Sequence, residues 1–533
     1  MIAPLLVVLL ASGDTSSGPP NEGVKKCDVL PQSTQSSPRI PGIFFSAVSA
    51  VSAVSSFLTG SKAGPEKSAL RQDPPAQVQQ ATAEKKEKKK AKKTAAGTLA
   101  PDEISDEVDN PDQAPEAGGP GIGVAWKQHP SIRFGDAFRL DFEAKFQEDA
   151  HGSYTGAPGL NCPSQVLPTT CTFQLHRNRV GIQGNFFKKI DYEVERELTE
   201  QELSEKDVLL GYTPKSQWKD VNVNVKYMKN AQIQLGKFKV PFGLDQLTGV
   251  SHNDFVYRTL GANYIAPGRD IGGMVHGSFF KHGLTYATGV FRHDGDNARS
   301  KKVEGGDQTV AARVTFAPFR RVRLPGDIDV GAAFAVSSLS DDPYLPNGLR
   351  GRTVLTQDTF FQPVYVKGQR RRWEADVDWT AGPASLRAEY TWVTDGRLRQ
   401  GLGDEDLPDA RARSWYVAGT WILTGEQKTR PLKADGEFLQ GGFGAVEVVG
   451  RYERLWFDSA GGANVDLPSR TPRAANILPS GDRALSLGVN WALNRWMKLQ
   501  FNGIREQVED PSRSPLLGGG AFWSQVVRLQ LVL

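Results

Sequence analysis

From Gly123 to the final residue the sequence alternates apolar and polar side chains with period two, the pattern of strands whose two faces meet different surroundings. In Arg139 to Phe146 (RLDFEAKF), Leu140, Phe142, Ala144 and Phe146 share one face, and Arg139, Asp141, Glu143 and Lys145 share the other. Val221, Val223, Val225 and Tyr227 oppose Asn222, Asn224 and Lys226 in the same way, and Trp373, Ala375, Val377 and Trp379 oppose Glu374, Asp376 and Asp378. Leu386 to Trp392 and Met497 to Phe501 repeat it, with no competing helical period.

Alternation alone leaves a soluble β-sandwich and a membrane barrel nearly balanced. A soluble protein buries the apolar face and wets the polar one, whereas a barrel turns the apolar face to lipid and the polar face to a wet lumen. Scale favours the barrel, because the pattern runs for roughly 400 residues against about 100 in a single sandwich of the immunoglobulin type. Sixteen candidate strands can be counted from Ser131, an even number as single-chain bacterial barrels have. The last, Trp523 to Leu533, runs to the end of the chain, where it can close against the first; Leu533 stands where such barrels usually carry an aromatic. Membrane helices are excluded, since outside the N-terminal region no uncharged apolar run reaches the roughly eighteen residues a span requires. The fold class predicted is all-β, a transmembrane antiparallel barrel of about sixteen strands with a disordered N-terminal extension.

That extension divides in two. Residues 1–60 read as a targeting region, from Met1 to Ser12 (MIAPLLVVLLAS) and from Ile43 to Leu58, the latter preceded by Lys25, Lys26 and Arg39. Residues 61–120 read as a disordered charged linker, in which the basic run Glu84 to Lys93 (EKKEKKKAKK) precedes an acidic stretch from Asp102 to Glu116. Such a composition cannot bury enough apolar area to offset its ordering entropy, and a solvated tether is the preferred reading over a nucleic-acid or lipid contact. Residues 121–533 form the barrel domain, with 51 basic and 46 acidic residues. That balance excludes nothing by itself.

Cys162 and Cys171 lie nine apart in a Gly/Pro/Thr-rich stretch, which suits a disulfide-closed loop in an oxidising compartment or, alternatively, two free thiols. Cys27 has no evident partner. Seven histidines, with no His-x-x-x-His, Cys-x-x-Cys or Gly-x-Ser-x-Gly, argue against an enzyme, and no cofactor or metal site is expected. The evenly spaced acids Asp376 and Asp378 are what a lumen wall presents.

Five segments, in order, resemble the phosphate-selective porin O/P family. They are Leu235 to Gly249 (LGKFKVPFGLDQLTG), Ala266 to Gly272 (APGRDIG), Ser414 to Glu426 (SWYVAGTWILTGE), Val446 to Leu455 (VEVVGRYERL) and Leu487 to Leu493 (LGVNWAL). The resemblance extends over Phe134 to Leu533. It implies a homotrimeric outer-membrane barrel of sixteen strands, narrowed by an inward loop, with outer-membrane lipid around it and small anions such as phosphate or polyphosphate passing through it.

Physical chemistry asks the same of any anion pore: positive charge to offset lost hydration, bound weakly enough to release. Arginine supplies a planar fork and lysine a point charge. The resemblance places pathway candidates at Arg139 on the first strand, Arg177 and Arg179 on the second, Lys237, Lys239 and Arg258 around the inward loop, and Arg313 on a later strand; His176 replaces one arginine of the family's pair. Arg387, Arg451 and Arg528 share inward phases, and Arg387 with Glu389 and Arg451 with Glu453 are expected to be ion pairs. Where phosphate-specific relatives carry an acid beside the binding-site lysines, Lys219 stands here with Asp220 next to it, which favours general anion or oligophosphate passage. The rivals are a structural barrel anchoring the envelope and a secreted soluble β-rich binding protein.

Overall fold

The computed structural model describes residues 122–126, 129–135, 137–154, 172–199, 216–228, 230–280, 282–297, 308–318, 326–339, 347–462, 477–514 and 521–533. The targeting and linker segments and the Cys162/Cys171 loop lie outside these residues. In chain order the strands are β1 (Ile122–Trp126), β2 (Pro130–Phe134), β3 (Phe138–Tyr154), β4 (Thr172–Phe186), β5 (Ile190–Glu197), β6 (Trp218–Met228), β7 (Ala231–Lys239), β8 (Arg269–Phe279), β9 (Leu284–Phe291) and β10 (Thr309–Phe316). There follow β11 (Asp327–Leu339), β12 (Gly351–Arg352), β13 (Thr359–Phe361), β14 (Gly368–Ala381), β15 (Ala384–Asp395), β16 (Ala410–Ile422), β17 (Ala445–Ser459), β18 (Ser480–Ala492), β19 (Met497–Val508) and β20 (Phe522–Val532).

Sixteen of these, β3–β11 and β14–β20, form one closed antiparallel barrel, the seam being β20 against β3 from Val532 opposite Lys145 to Trp523 opposite Tyr154. The count matches expectation but starts at Phe138, not Ser131. β3 is longer than the edge β20 covers, and β2 pairs with the remaining stretch, Phe138 to Asp141. Unpaired backbone groups there would otherwise form an open edge. β12 and β13 form a separate hairpin within the connection from β11 to β14.

Burial decides the question that alternation left open. Phe142, Val223 and Trp373 are 41%, 42% and 55% exposed, while their polar neighbours Asp141, Asn222 and Glu374 are 2%, 7% and 4% exposed. The apolar face is outside and the polar face inside, which water would not tolerate and lipid requires. The end that holds Phe138 and Val532 has mostly short turns, such as 187–189, 280–283 and 382–383, and is the periplasmic side; the long connections mark the outer side. One periplasmic connection, 423–444, breaks that rule.

Apolar packing lies within the lumen. Leu260, Tyr264 and Ile265 of the β7–β8 connection, with Val354, Phe360 and Phe361 of the β12–β13 region, pack on Val393, Leu455, Phe457, Ile504 and Phe522 of the wall from β15 to β20. A second cluster, centred on Phe238, Val240, Phe242, Met274 and Phe291, covers the wall from β7 to β11. No residue of β3–β6 belongs to either. Neither apolar cluster covers the wall of β3–β6, which the loop meets through Tyr257 at Asp149 and His176.

At the seam Arg528 faces Asp149 directly and donates to both its carboxylate oxygens at 2.6 and 2.7 Å, with both side chains buried. Arg528→Ala strands a buried carboxylate, a change that typically costs about 3–5 kcal/mol. In a temperature series of folded versus unfolded migration on gels, the variant should unfold at clearly lower temperature than the parent; coincident transitions would show that the pair does not hold the seam.

Candidate pore constriction

Between β7 and β8 the chain turns into the lumen and returns, over residues 240–268. Gly243 and Gly268 mark the entry and exit with φ of 82° and 79°, a region other residues rarely adopt. A Cβ on Gly268 would lie 2.4 Å from Asp296 Oδ1. These are the glycines of the PFGLD and APGRD motifs. The loop holds two short helices, α1 (Leu244–Leu247) and α2 (Leu260–Tyr264), tied together by Asp245, which accepts from Thr259 N and Oγ1.

Most of the loop's backbone has no partner in a helix or sheet, so its polar groups must be matched by the wall. Asp245 N donates to Glu389 (3.0 Å), Val256 N to Asn502 (2.8 Å) and Leu260 N to Glu453 (2.6 Å). In the other direction Arg528 donates to Val256 O, Arg451 to Tyr257 O and Arg372 to Ile265 O at 2.6–3.0 Å, and Lys498 to Ser251 O and Asn253 O. The Arg528 and Arg451 guanidiniums also stack on Tyr257 and Phe255.

From the periplasmic side the long turn reaches in. Lys428 bridges Asp254 and Glu447 at 2.6 and 2.5 Å, and Arg430 reaches Asp254 and Asp378, both at 3.2 Å. Burial alone would raise the Asp254 pKa, but Lys428 and Arg430 beside it hold the carboxyl below its usual range.

The candidate residues are distributed unevenly. Arg139 is paired with Asp141 at 2.6 Å near the periplasmic end. Arg179 is paired with Glu195 and Glu197, and Arg313 with Glu374 and Asp376. Lys237 lies on the outward face with Ile233 and Leu235 and donates to Trp218 O. Lys239 braces the loop through Leu247 O and Thr248 O.

Arg258, on the loop, donates to Thr248 O, and its other terminal nitrogen, Nη1, has no partner among the described residues. Arg177, on the uncovered wall, donates to Gln147 Oε1 at 2.7 Å and has no carboxylate within ion-pair distance among the described residues. Arg179, Arg528 and Arg258 lie close enough to Arg177 to repel it electrostatically, against a smaller attraction from Glu197. His176 stacks edge-on against Tyr257 and sits 3.6 Å from Asp149.

Arg451 does pair with Glu453, at 2.8 Å. Arg387 does not pair with Glu389: it takes Asp378, which faces it directly across the strands, because that separation is shorter than two residues along one strand. Glu389 is left to hold the loop. At the β6 end Asp220 shares the inward face with Asn222 and forms a bidentate pair with Arg269 of the APGRD motif, Nε to Oδ1 at 3.0 Å and Nη2 to Oδ2 at 2.7 Å. Lys219 Nζ points to Ser216 O at 3.4 Å.

Sequence reasoning missed Lys428, Arg430 and Lys498. The available signal was the length of the β16–β17 connection and its basic centre, Lys428 to Lys433, where a short turn belongs. It also missed Asp294, which takes both Arg370 and Arg372 and joins the β9–β10 connection to the wall.

A closed barrel with a lipid-facing apolar surface, a polar lumen and a re-entrant loop fastened across it is the architecture of an outer-membrane channel. The family described as "Phosphate-selective porin O and P" matches residues 150–530, and the chain belongs to that family. Among curated proteins the sequence has no match. Solved structures similar to it include an anion-selective porin from Comamonas acidovorans (12% identity, TM-score 0.44, 74% of this chain and 100% of that chain). Others are the trimer form of OmpT from Vibrio cholerae (10% identity, TM-score 0.43, 74% and 100%) and OmpF of Salmonella typhi in complex with daunomycin (13% identity, TM-score 0.45, 75% and 98%).

The Asp254 clamp has a defined pH window. Because its pKa is depressed in the folded state, the clamp contributes fully above the ordinary aspartate value of about 3.9 and is lost only as pH falls through the lower folded value. The clamp should persist from pH 7 to about 4, and over that range open-channel current noise should be higher in Asp254→Asn than in the parent. A variant as quiet as the parent would show that the loop is held without this contact.

Proposed function

We propose that the channel passes small anions by passive diffusion along the wall of β3–β6, and that Arg177 and Arg258 set its preference. The observation that carries this reading is Arg177: an arginine on the wall of β3–β6 that forms no ion pair with a described residue and is flanked by Arg179, Arg258 and Arg528, the nearby Glu197 being bound to Arg179. The acids nearest that level are already engaged, Asp149 by Arg528 and Glu195 and Glu197 by Arg179. Glu143 and Glu193 lie further toward the periplasmic end of their strands, so anion preference depends on the Arg177 level. A partially hydrated phosphate or chloride there gains charge-assisted hydrogen bonds without displacing an internal ion pair. The homotrimer and the phosphate class of solute belong to the same reading and are supported by family membership.

Reversal potentials in planar bilayers under chloride and phosphate gradients test it. One unit positive charge at ~6 Å in a water-like dielectric favours an anion and disfavours a cation by about 0.7 kcal/mol each, so Arg177→Ala or Arg258→Ala should lower the anion-to-cation permeability ratio by up to about tenfold. Arg177→Lys should keep most of it, and Lys237→Ala should change it little. Cation preference in the parent, or no change on replacing Arg177 and Arg258 together, would sink the proposal.

A further inference from the structure

A second concentration of arginine lies on the outside of the barrel. On the outward phases near the extracellular ends of their strands stand Arg371 of β14, Arg411 and Arg413 of β16, Arg454 of β17, Arg483 of β18 and Arg505 of β19. On a lipid-facing surface such residues are strongly disfavoured at mid-membrane and tolerated at the interface. The aromatic rings around them fit the interfacial level: Arg413 lies between Trp392 and Trp456, 5.9 Å from each ring, and Arg454 lies 4.6 Å over Trp456.

Their charge is only partly answered on that face. Asp458 is shared by Arg411 (2.7 Å) and Arg413 (3.3 Å), and Glu509 by Arg454 (2.7 Å) and Arg483 (3.0 Å). Arg454 and Arg483 stand directly opposite each other across the β17–β18 ladder and share one Glu509 oxygen, so that one carboxylate answers two guanidiniums. Arg505 forms no ion pair with any described residue, and Arg371 donates to Gln369 with Asp409 nearby. A hollow of about 320 Å³ opens among Arg411, Arg454, Trp456, Asp458 and Glu509. Toward the membrane centre from it, exposed Val417, Tyr452 and Leu487 continue the apolar surface.

We propose that this face of β16–β19 is a binding site for a phosphate-bearing glycolipid of the outer leaflet. Its headgroup phosphate occupies the hollow between the arginine forks, which take phosphate oxygens two at a time, and its acyl chains lie along the apolar band beneath. The occupant is a lipid and not a dissolved anion, because the charged hollow and the apolar band are continuous on the outer wall.

The test uses the purified full-length protein in detergent, with bisphosphorylated lipid A as the probe and dephosphorylated lipid A and inorganic phosphate as comparisons. Bisphosphorylated lipid A should raise the unfolding temperature of the parent in a concentration-dependent way. Each comparison compound should bind about tenfold more weakly or worse. The combined variant Arg411→Gln, Arg413→Gln, Arg454→Gln and Arg483→Gln should lose at least about tenfold in affinity for the probe at unchanged single-channel conductance. Should that variant not fold, Arg371→Gln with Arg505→Gln, which breaks none of the pairs with Asp458 or Glu509, should still weaken the probe measurably. The proposal is overturned by equal affinity in the folded variant, by equal binding of dephosphorylated lipid A, by inorganic phosphate competing at the same concentration, or by loss of the parent's oligomer on native gels, which would make the patch a contact between copies.

Discussion

The structure depends on one constraint: a stretch of nearly thirty residues enters the lumen of a barrel with too little helix or sheet of its own to satisfy its peptide groups. In a dry or semi-dry interior each unmet N–H or C=O is expensive, so partners have to come from the wall. The polar face of the barrel is organised around that demand. Glu389, Glu453 and Asn502 accept from the loop's N–H groups, and Arg372, Arg451, Arg528 and Lys498 donate to its carbonyls. Charged side chains suit the task because a bond with one ionised partner is roughly twice as strong as a neutral one.

This accounts for a feature that would otherwise look like excess. The lumen carries many arginines, yet most are spent on internal pairs or on loop carbonyls, and their number says little about what crosses the channel. In the proposed reading a residue on the pathway is set apart by having no internal ion pair, and that property is invisible in a strand's alternation. Arg177 and Arg179 are two residues apart on one face of β4 and read identically in sequence. Glu195 and Glu197 of the neighbouring strand make one structural and leave the other available.

The same contrast shows what the sequence could and could not convey. Strand faces and the closing role of Trp523 to Leu533 are legible because they follow from period-two patterning, whereas the inward loop is implied only by the family resemblance of the PFGLD and APGRD segments, whose glycines show their positive φ only in the structure. The first strand of the barrel was placed too early, since β2 alternates like its neighbours and differs only in which edge it covers. Arg387 was assigned to Glu389 because distance along a strand is visible in sequence and distance across strands is not. Lys428 and Arg430 lie in a connection outside both the alternating segments and the family-like ones, where nothing in the pattern marks a side chain as inward.

Those two residues also couple regions of the chain that are synthesised far apart. Asp254 lies in the connection after β7, and Lys428 and Arg430 follow β16, 174 and 176 positions later. The contact can form only when the intervening strands have found their registers and curved far enough to bring the two regions face to face, the kind of long-range pairing that forms late. A barrel assembled with a strand missing or slipped would leave Asp254 without its cations and the loop unsecured. The clamp therefore makes the narrow passage a property of the completed barrel alone, so that an incomplete one is told apart by its loose interior.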